Sequence, residues 1–146
     1  MVDFSSVLNR KPVEVERPKP LPAGTYHVMV EKHEFLESKE KKTPYLHILF
    51  KILGPGPDVD PASLVGVDYA KRQLRQDFFL TEDALWRLRE FFEKAIGIDI
   101  GQRTFGEIIA NELPTKQVMA MVVQVPSQKA GDDSIYNNIS GFAKIN

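Results

Sequence analysis

Residues 38–52, SKEKKTPYLHILFKI, decide the fold. A charged turn runs into strict alternation, which places Leu46, Ile48, Phe50 and Ile52 on one side of an extended chain and Tyr45, His47, Leu49 and Lys51 on the other. The first set is a core face. The second set combines an aromatic ring, an imidazole and a cation next to Lys39, Lys41 and Lys42, so it is the first place to look for a binding surface.

Working outward, TYHVMVEKHEF (25–35) alternates in the same way and reads as the preceding strand, with Tyr26, Val28 and Val30 on its core face. The glycines, prolines and aspartates of GPGPDVDP (54–61) mark a loop. VDYAKRQLRQDFFL (67–80) reads as a third strand, with Tyr69, Lys71, Gln73 and Arg75 sharing one face and Arg72 adding charge. At Thr81 the period changes. TEDALWRLREFFEKAIG (81–97) has a threonine N-cap, early acidic residues, apolar residues at helical spacing and a terminal Gly97, which predicts a helix. Within TFGEIIANEL (104–113), Thr104 and Glu107 have capping-box spacing and predict a second, shorter helix. KQVMAMVVQV (116–125) and IYNNISGFAKI (135–145) read as two closing strands. Residues 1–22, with Pro12, Pro18, Pro20 and Pro22 and no apolar period, read as an extended proline-rich arm on the surface.

Three strands, a helical segment and two further strands form the element order of the OB-fold, a five-stranded Greek-key β-barrel. The expectation is therefore a mainly β chain with α elements, in which residues 1–22 form the arm and residues 23–146 a single OB-like domain. In such a barrel oligonucleotides lie on strands two and three and on the loops after strands one and four, here residues 36–43 and 126–134.

Composition sets the outer limits. At 146 residues, 42% of them hydrophobic and 27% charged, the chain suits one globular domain. It has no cysteine, which excludes disulfides, thiolate metal sites and cysteine nucleophiles and points to a reducing cytoplasm. No secretion-signal core or membrane-length apolar run is present. The net charge of −1 means that any basic surface is local.

LPAGTY (21–26), KTPYLHILFKIL (42–53), FFLTEDALWRLREFFE (78–93) and YNNISGFAKI (136–145) resemble a family of small bacteriophage single-stranded DNA-binding proteins found with replication and recombination genes. The resemblance extends from about Leu21 onward. It implies an OB-like barrel that coats single strands without catalysis and without a cofactor, in the cytoplasm of the host cell. Single-stranded DNA would be the main partner, with replication or recombination proteins of phage or host, or a second copy of the chain, as further partners. The chain ends GFAKIN rather than in the acidic tail that many single-strand binders use to recruit partners.

Single-strand binding needs cations that track phosphates and aromatic faces on which bases stack. Tyr45, His47, Lys51, Tyr69, Lys71, Arg72 and Arg75 form the expected sheet patch, Lys39, Lys41 and Lys42 the first loop, where their alternation with Glu37 and Glu40 also fits a solvated hairpin tip, Lys129 the second loop and Tyr136 the last strand. Acidic neighbours, Asp132 and Asp133, weaken the case for Lys129. Trp86 reads as a packing residue covering one end of the barrel. His27 and His33 share strand parity, but six residues of extended chain hold them about 20 Å apart, too far for joint metal ligation. Asp58 and Asp60 read as loop residues bonding their own backbone. No phosphate-cradling loop, nucleophile elbow or zinc-protease helix is present, so the reading is a non-enzyme, with a protein-interaction or structural module as the competing class.

Overall fold

The alternation in the deciding stretch becomes strand β2, Pro44–Pro55, whose Leu46, Ile48, Phe50 and Ile52 are all buried. The computed structural model describes residues 4–14, 19–132 and 134–145. The other strands are β1 (Gly24–Glu37), β3 (Gln73–Phe79), β4 (Gln117–Pro126) and β5 (Ile135–Ala143). Three short α-helices accompany them: α1 (Ser5–Leu8), α2 (Leu85–Glu90), which runs on as a π-helical turn Phe91–Ile96, and α3 (Phe105–Asn111). The fold is mainly β, one five-stranded antiparallel sheet in the order β3-β2-β1-β4-β5.

The inner face of the sheet is the core. Tyr26, Val28 and Val30 from β1, Leu74 and Phe78 from β3, and Val118, Ala120 and Val122 from β4 join the β2 set. Leu88, Phe91, Phe92 and Ala95 of the helical segment and Ile108 and Ile109 of α3 cover it. Leu21, at the end of the expected arm, is 1% exposed. Its N–H donates to Asn137 Oδ1 (2.8 Å), and its carbonyl accepts from Gln124 Nε2 (2.9 Å) and Asn137 Nδ2 (3.0 Å). The described part of the arm is not wholly extended, since α1 and a 3₁₀ turn at Pro12–Glu14 interrupt it; Pro18 lies outside the described residues.

The sheet is open among the described residues, so the Greek-key barrel expected from the sequence does not close. Among the described residues β3 and β5 are its two edges, with no backbone ladder between them. Aromatic side chains occupy the interval. The Phe91 ring lies 5.1 Å from Phe78 on β3 and 4.8 Å from Phe142 on β5, centroid to centroid.

Three local departures have clear causes. The third strand begins at Gln73 rather than Val67, because a 3₁₀ turn at Tyr69–Lys71 precedes it. The helix predicted after Thr81 begins only at Leu85. The Leu80 N–H still continues the ladder to the Pro44 carbonyl (2.9 Å), so the chain must turn through Thr81–Ala84 before a helix axis can start. The register of β1 also shifts between Val30 and Lys32, where Glu31 forms a bulge. The bulge puts His33 opposite Ile48 on the inner side, while His27 pairs outward with Met119, so the two histidines do not share a face. Of the caps predicted from sequence spacing, two hold, since Thr104 Oγ1 accepts from the Glu107 N–H (3.2 Å) and Gly97 ends the π-turn at φ 84°, whereas Thr81 is not the N-cap of α2, a position taken by Ala84 without a side-chain hydrogen bond.

The 54–61 loop is tied down by Asp58, which accepts from the Thr25 N–H at 3.0 Å and from the Thr25 hydroxyl at 3.0 Å. Asp60 caps the next turn, accepting from the Ala62 N–H (3.0 Å). Gly56 lies so close to β1 that an added Cβ would sit 2.6 Å from the Thr25 carbonyl oxygen. The backbone hydrogen bond from Thr25 holds the Asp58 carboxyl below its ordinary range. A carboxyl that is more acidic when folded stabilises the fold above its unfolded pKa and loses that contribution as pH falls through the folded value. Asp58→Asn is therefore expected to flatten the fall of the thermal midpoint as pH drops below the ordinary carboxylate range and to lower the midpoint at neutral pH. A pH scan of thermal unfolding of both proteins measures this; parallel curves would refute it.

Candidate functional site

The outer face of the sheet is where β2 presents its second set of residues. Cross-strand pairing places Tyr45 between Leu36 and Phe79, His47 between Glu34 and Asp77, Leu49 between Lys32 and Arg75, and Lys51 between Met29 and Gln73. Residues directly opposite in a ladder share a face, so these four rows form one surface.

The first row is aromatic and apolar. The Tyr45 and Phe79 rings lie 5.8 Å apart and tilted by 57°, and Phe79 is 45% exposed. Beside them the β1–β2 turn closes on itself: the Ser38 N–H donates to the Thr43 carbonyl (3.0 Å), the Lys42 N–H to the Ser38 carbonyl (3.1 Å) and the Thr43 N–H to Ser38 Oγ (2.9 Å). Lys42 adopts φ 51°, the left-handed conformation such a turn needs. Lys39, Lys41 and Lys42 are all exposed and pair with no carboxylate among the described residues. Ser38, Lys39, Glu40, Lys41 and Thr43 face Phe79 and Thr81 across a cleft of about 580 Å³.

Charge on the remaining rows is mixed. His47 Nδ1 meets Asp77 Oδ1 at 2.6 Å, Lys32 lies 3.8 Å from Glu34, and Gln73 Nε2 donates to Glu31 (2.8 Å). Lys51 and Arg75 are exposed, and no carboxylate among the described residues pairs with them. The acids of these rows are therefore engaged, while the turn lysines, Lys51 and Arg75 pair with no carboxylate among the described residues, and Glu40 is the acid that shares the turn cleft with Lys39 and Lys41.

The structure thus brings together Lys39, Lys41, Lys42, Tyr45, His47, Lys51 and Arg75. It separates the rest. Tyr69 sits in the 3₁₀ turn and packs half-buried against the core instead of standing beside Tyr45. Lys71, on the same turn, lies 3.7 Å from Asp68. Arg72 caps that turn, its N–H donating to the Tyr69 carbonyl (3.0 Å). Lys129 lies in the β4–β5 loop. Because β4 pairs with β1 from Met29 back to Gly24 and then runs on to Pro126, that loop lies beyond the start of β1, at the opposite end from the lysine turn. Asp133, counted among its acidic neighbours, falls outside the described residues. Tyr136 is exposed on β5 opposite Val125, at the far side of the sheet from β2 and β3.

Two residues were missed by sequence reasoning. Phe79 continues the odd-numbered face of Gln73, Arg75 and Asp77, so parity carried two residues further along β3 finds it. Trp86 is 54% exposed rather than packed over an end of the sheet, with the Arg87 guanidinium 5.4 Å from its ring centroid.

Among the described residues no cluster of histidine, aspartate or glutamate is arranged to hold a metal ion, and no helix is long and apolar enough to cross a membrane. His27 Nε2 is engaged with Gln117 Oε1 (2.7 Å), and His33 packs edge-on to Phe35. No protein-family model matches the chain, and no curated protein matches it.

Proposed function

We propose that this chain is a non-catalytic, largely sequence-independent single-stranded DNA-binding protein of phage replication or recombination, working in the host cytoplasm. The observation that carries the reading is the Tyr45–Phe79 ring pair on the outer sheet face, Phe79 exposed and Tyr45 half-buried, next to a self-bonded turn whose three exposed lysines pair with no carboxylate among the described residues and outnumber the turn's acids, Glu37 and Glu40. Every base has a π-face, so exposed aromatics bind without regard to sequence, and lysines supply the phosphate contacts. The strand order, open between β3 and β5, fits a partly open five-stranded Greek-key barrel of the OB kind, in which strands two and three carry the ligand. The resemblance of residues 42–53 and 78–93 to phage single-strand binders points the same way.

The test is fluorescence anisotropy of a labelled oligothymidine over a range of salt, against a duplex control. Affinity is expected to fall with salt, as released counterions require, and duplex to bind far more weakly. Lys42→Gly removes one charge and relieves a left-handed lysine, so it is expected to reduce the salt slope by about 0.7 with an unfolding midpoint equal to wild type or higher. Equal binding to duplex, or none to either, overturns the proposal.

One observation favours a second reading, a protein-interaction module. Met121, Val123, Ile135 and Tyr136 are exposed apolar side chains on β4 and β5. Protein purified at low salt with a clean protein ratio of absorbance at 260 to 280 nm, and no oligonucleotide binding, would select it.

A further inference from the structure

Trp86 is the only tryptophan in the chain, and more than half of its surface is open to solvent. An indole carries one of the largest apolar surfaces of any side chain and is normally spent on packing or on a ligand. Its setting favours a ligand that is flat and anionic. Arg87 lies over the ring, and among the cations of this helical segment it alone lacks a carboxylate within the described residues: Arg89 is engaged by Glu93, and Lys94 by Glu90 at 3.2 Å. That same Lys94 contact offsets Glu90, the one acid on the rim of the adjoining cleft. The cleft, of about 280 Å³, runs from Trp86 and Arg87 to Ser140 and Gly141 of β5, with Phe78 and Phe142 among its lining residues.

This cleft continues the proposed site. Phe78 and Phe79 are consecutive on β3 and point to opposite faces, so Phe79 lines the lysine-turn cleft while Phe78 lines the tryptophan cleft. The connection Thr81–Ala84 walls the first, and Trp86 borders the second directly after it. The β3 edge, which carries no neighbouring strand among the described residues, contributes to both clefts.

We infer that a single strand held at Tyr45 and Phe79 continues around the β3 edge and stacks a further base on Trp86, with Arg87 meeting the adjacent phosphate. This rests on the single-strand reading above and extends it to a second contact station.

Because Trp86 is the sole tryptophan, its emission reports this station alone. Oligothymidines of about 4 and about 16 nucleotides bracket the span of one barrel. The long oligomer is expected to quench the emission in step with its anisotropy. Trp86→Ala should weaken long-oligomer binding by at least about five-fold, erasing most of the advantage of the long over the short oligomer. Trp86→Phe, which keeps a ring, should hold affinity within about two-fold, and both variants should unfold near the wild-type midpoint. Unchanged long-oligomer affinity in Trp86→Ala, or unmoved emission while anisotropy saturates, overturns this station and leaves the Tyr45–Phe79 site standing. Absence of oligonucleotide binding by wild type overturns both.

Discussion

Phe91→Ala is expected to lower unfolding stability by about 3–5 kcal/mol, the range for deleting a buried phenylalanine ring. Phe91 is 4% exposed, and its ring meets Phe50 at 6.3 Å, Phe78 at 5.1 Å, Phe92 at 6.2 Å and Phe142 at 4.8 Å. It stands where the sheet lacks a backbone ladder, so the β3 and β5 edges are joined through this ring and the direct Phe78–Phe142 contact (6.5 Å) instead of through a strand ladder. The cavity left by alanine is poorly placed to collapse, because each flanking strand is fixed by a ladder on its other side, β3 to β2 and β5 to β4. For a domain with a total stability of about 5–15 kcal/mol the loss is a large share. Urea unfolding measures it, and amide exchange on β3 and β5 should rise more than on β1. Phe91→Leu, closer in volume, should cost under about 1.5 kcal/mol. A loss below about 1 kcal/mol for Phe91→Ala would mean that the seam is held by something other than this ring.

Sequence legibility follows the number of constraints on each residue. β2 is paired on both sides and buried on one face, so its alternation is complete, and Leu46, Ile48, Phe50 and Ile52 are found from periodicity alone. β3 is an edge. Its entry through a 3₁₀ turn leaves no break in composition, so Tyr69 and Lys71 look like strand residues although the backbone turns there. The bulge at Glu31 has a faint trace, the break of the apolar alternation at four successive polar residues, Glu31 to Glu34, and it changes the face of everything after it. Trp86 was legible too. At about 100° per residue it lies about 160° around the helix from buried Leu88, on the solvent side. What residue order could not supply is which of two facing strands meets which, and that register put Phe79, not Tyr69, beside Tyr45.

That register leads to the largest expected effect on binding. Tyr45→Ala and Phe79→Ala should each weaken oligothymidine binding by about 1–3 kcal/mol, the worth of one base stacked on one ring. If both rings take bases independently, the double variant loses the sum. If one base spans both rings, which lie 5.8 Å apart, the double loses little more than the stronger single. A double-mutant cycle by anisotropy therefore measures how many bases the site takes. The salt slope should stay at the wild-type value in all three variants, because no phosphate contact is removed. Folding should suffer little, since a cross-strand pair on an exposed face is worth about 0.2–1 kcal/mol. Wild-type affinity in the double variant would remove this face from the binding surface. A stability loss of several kcal/mol would instead show that the two rings serve the fold, and the exposed lysine turn beside them would then need another partner.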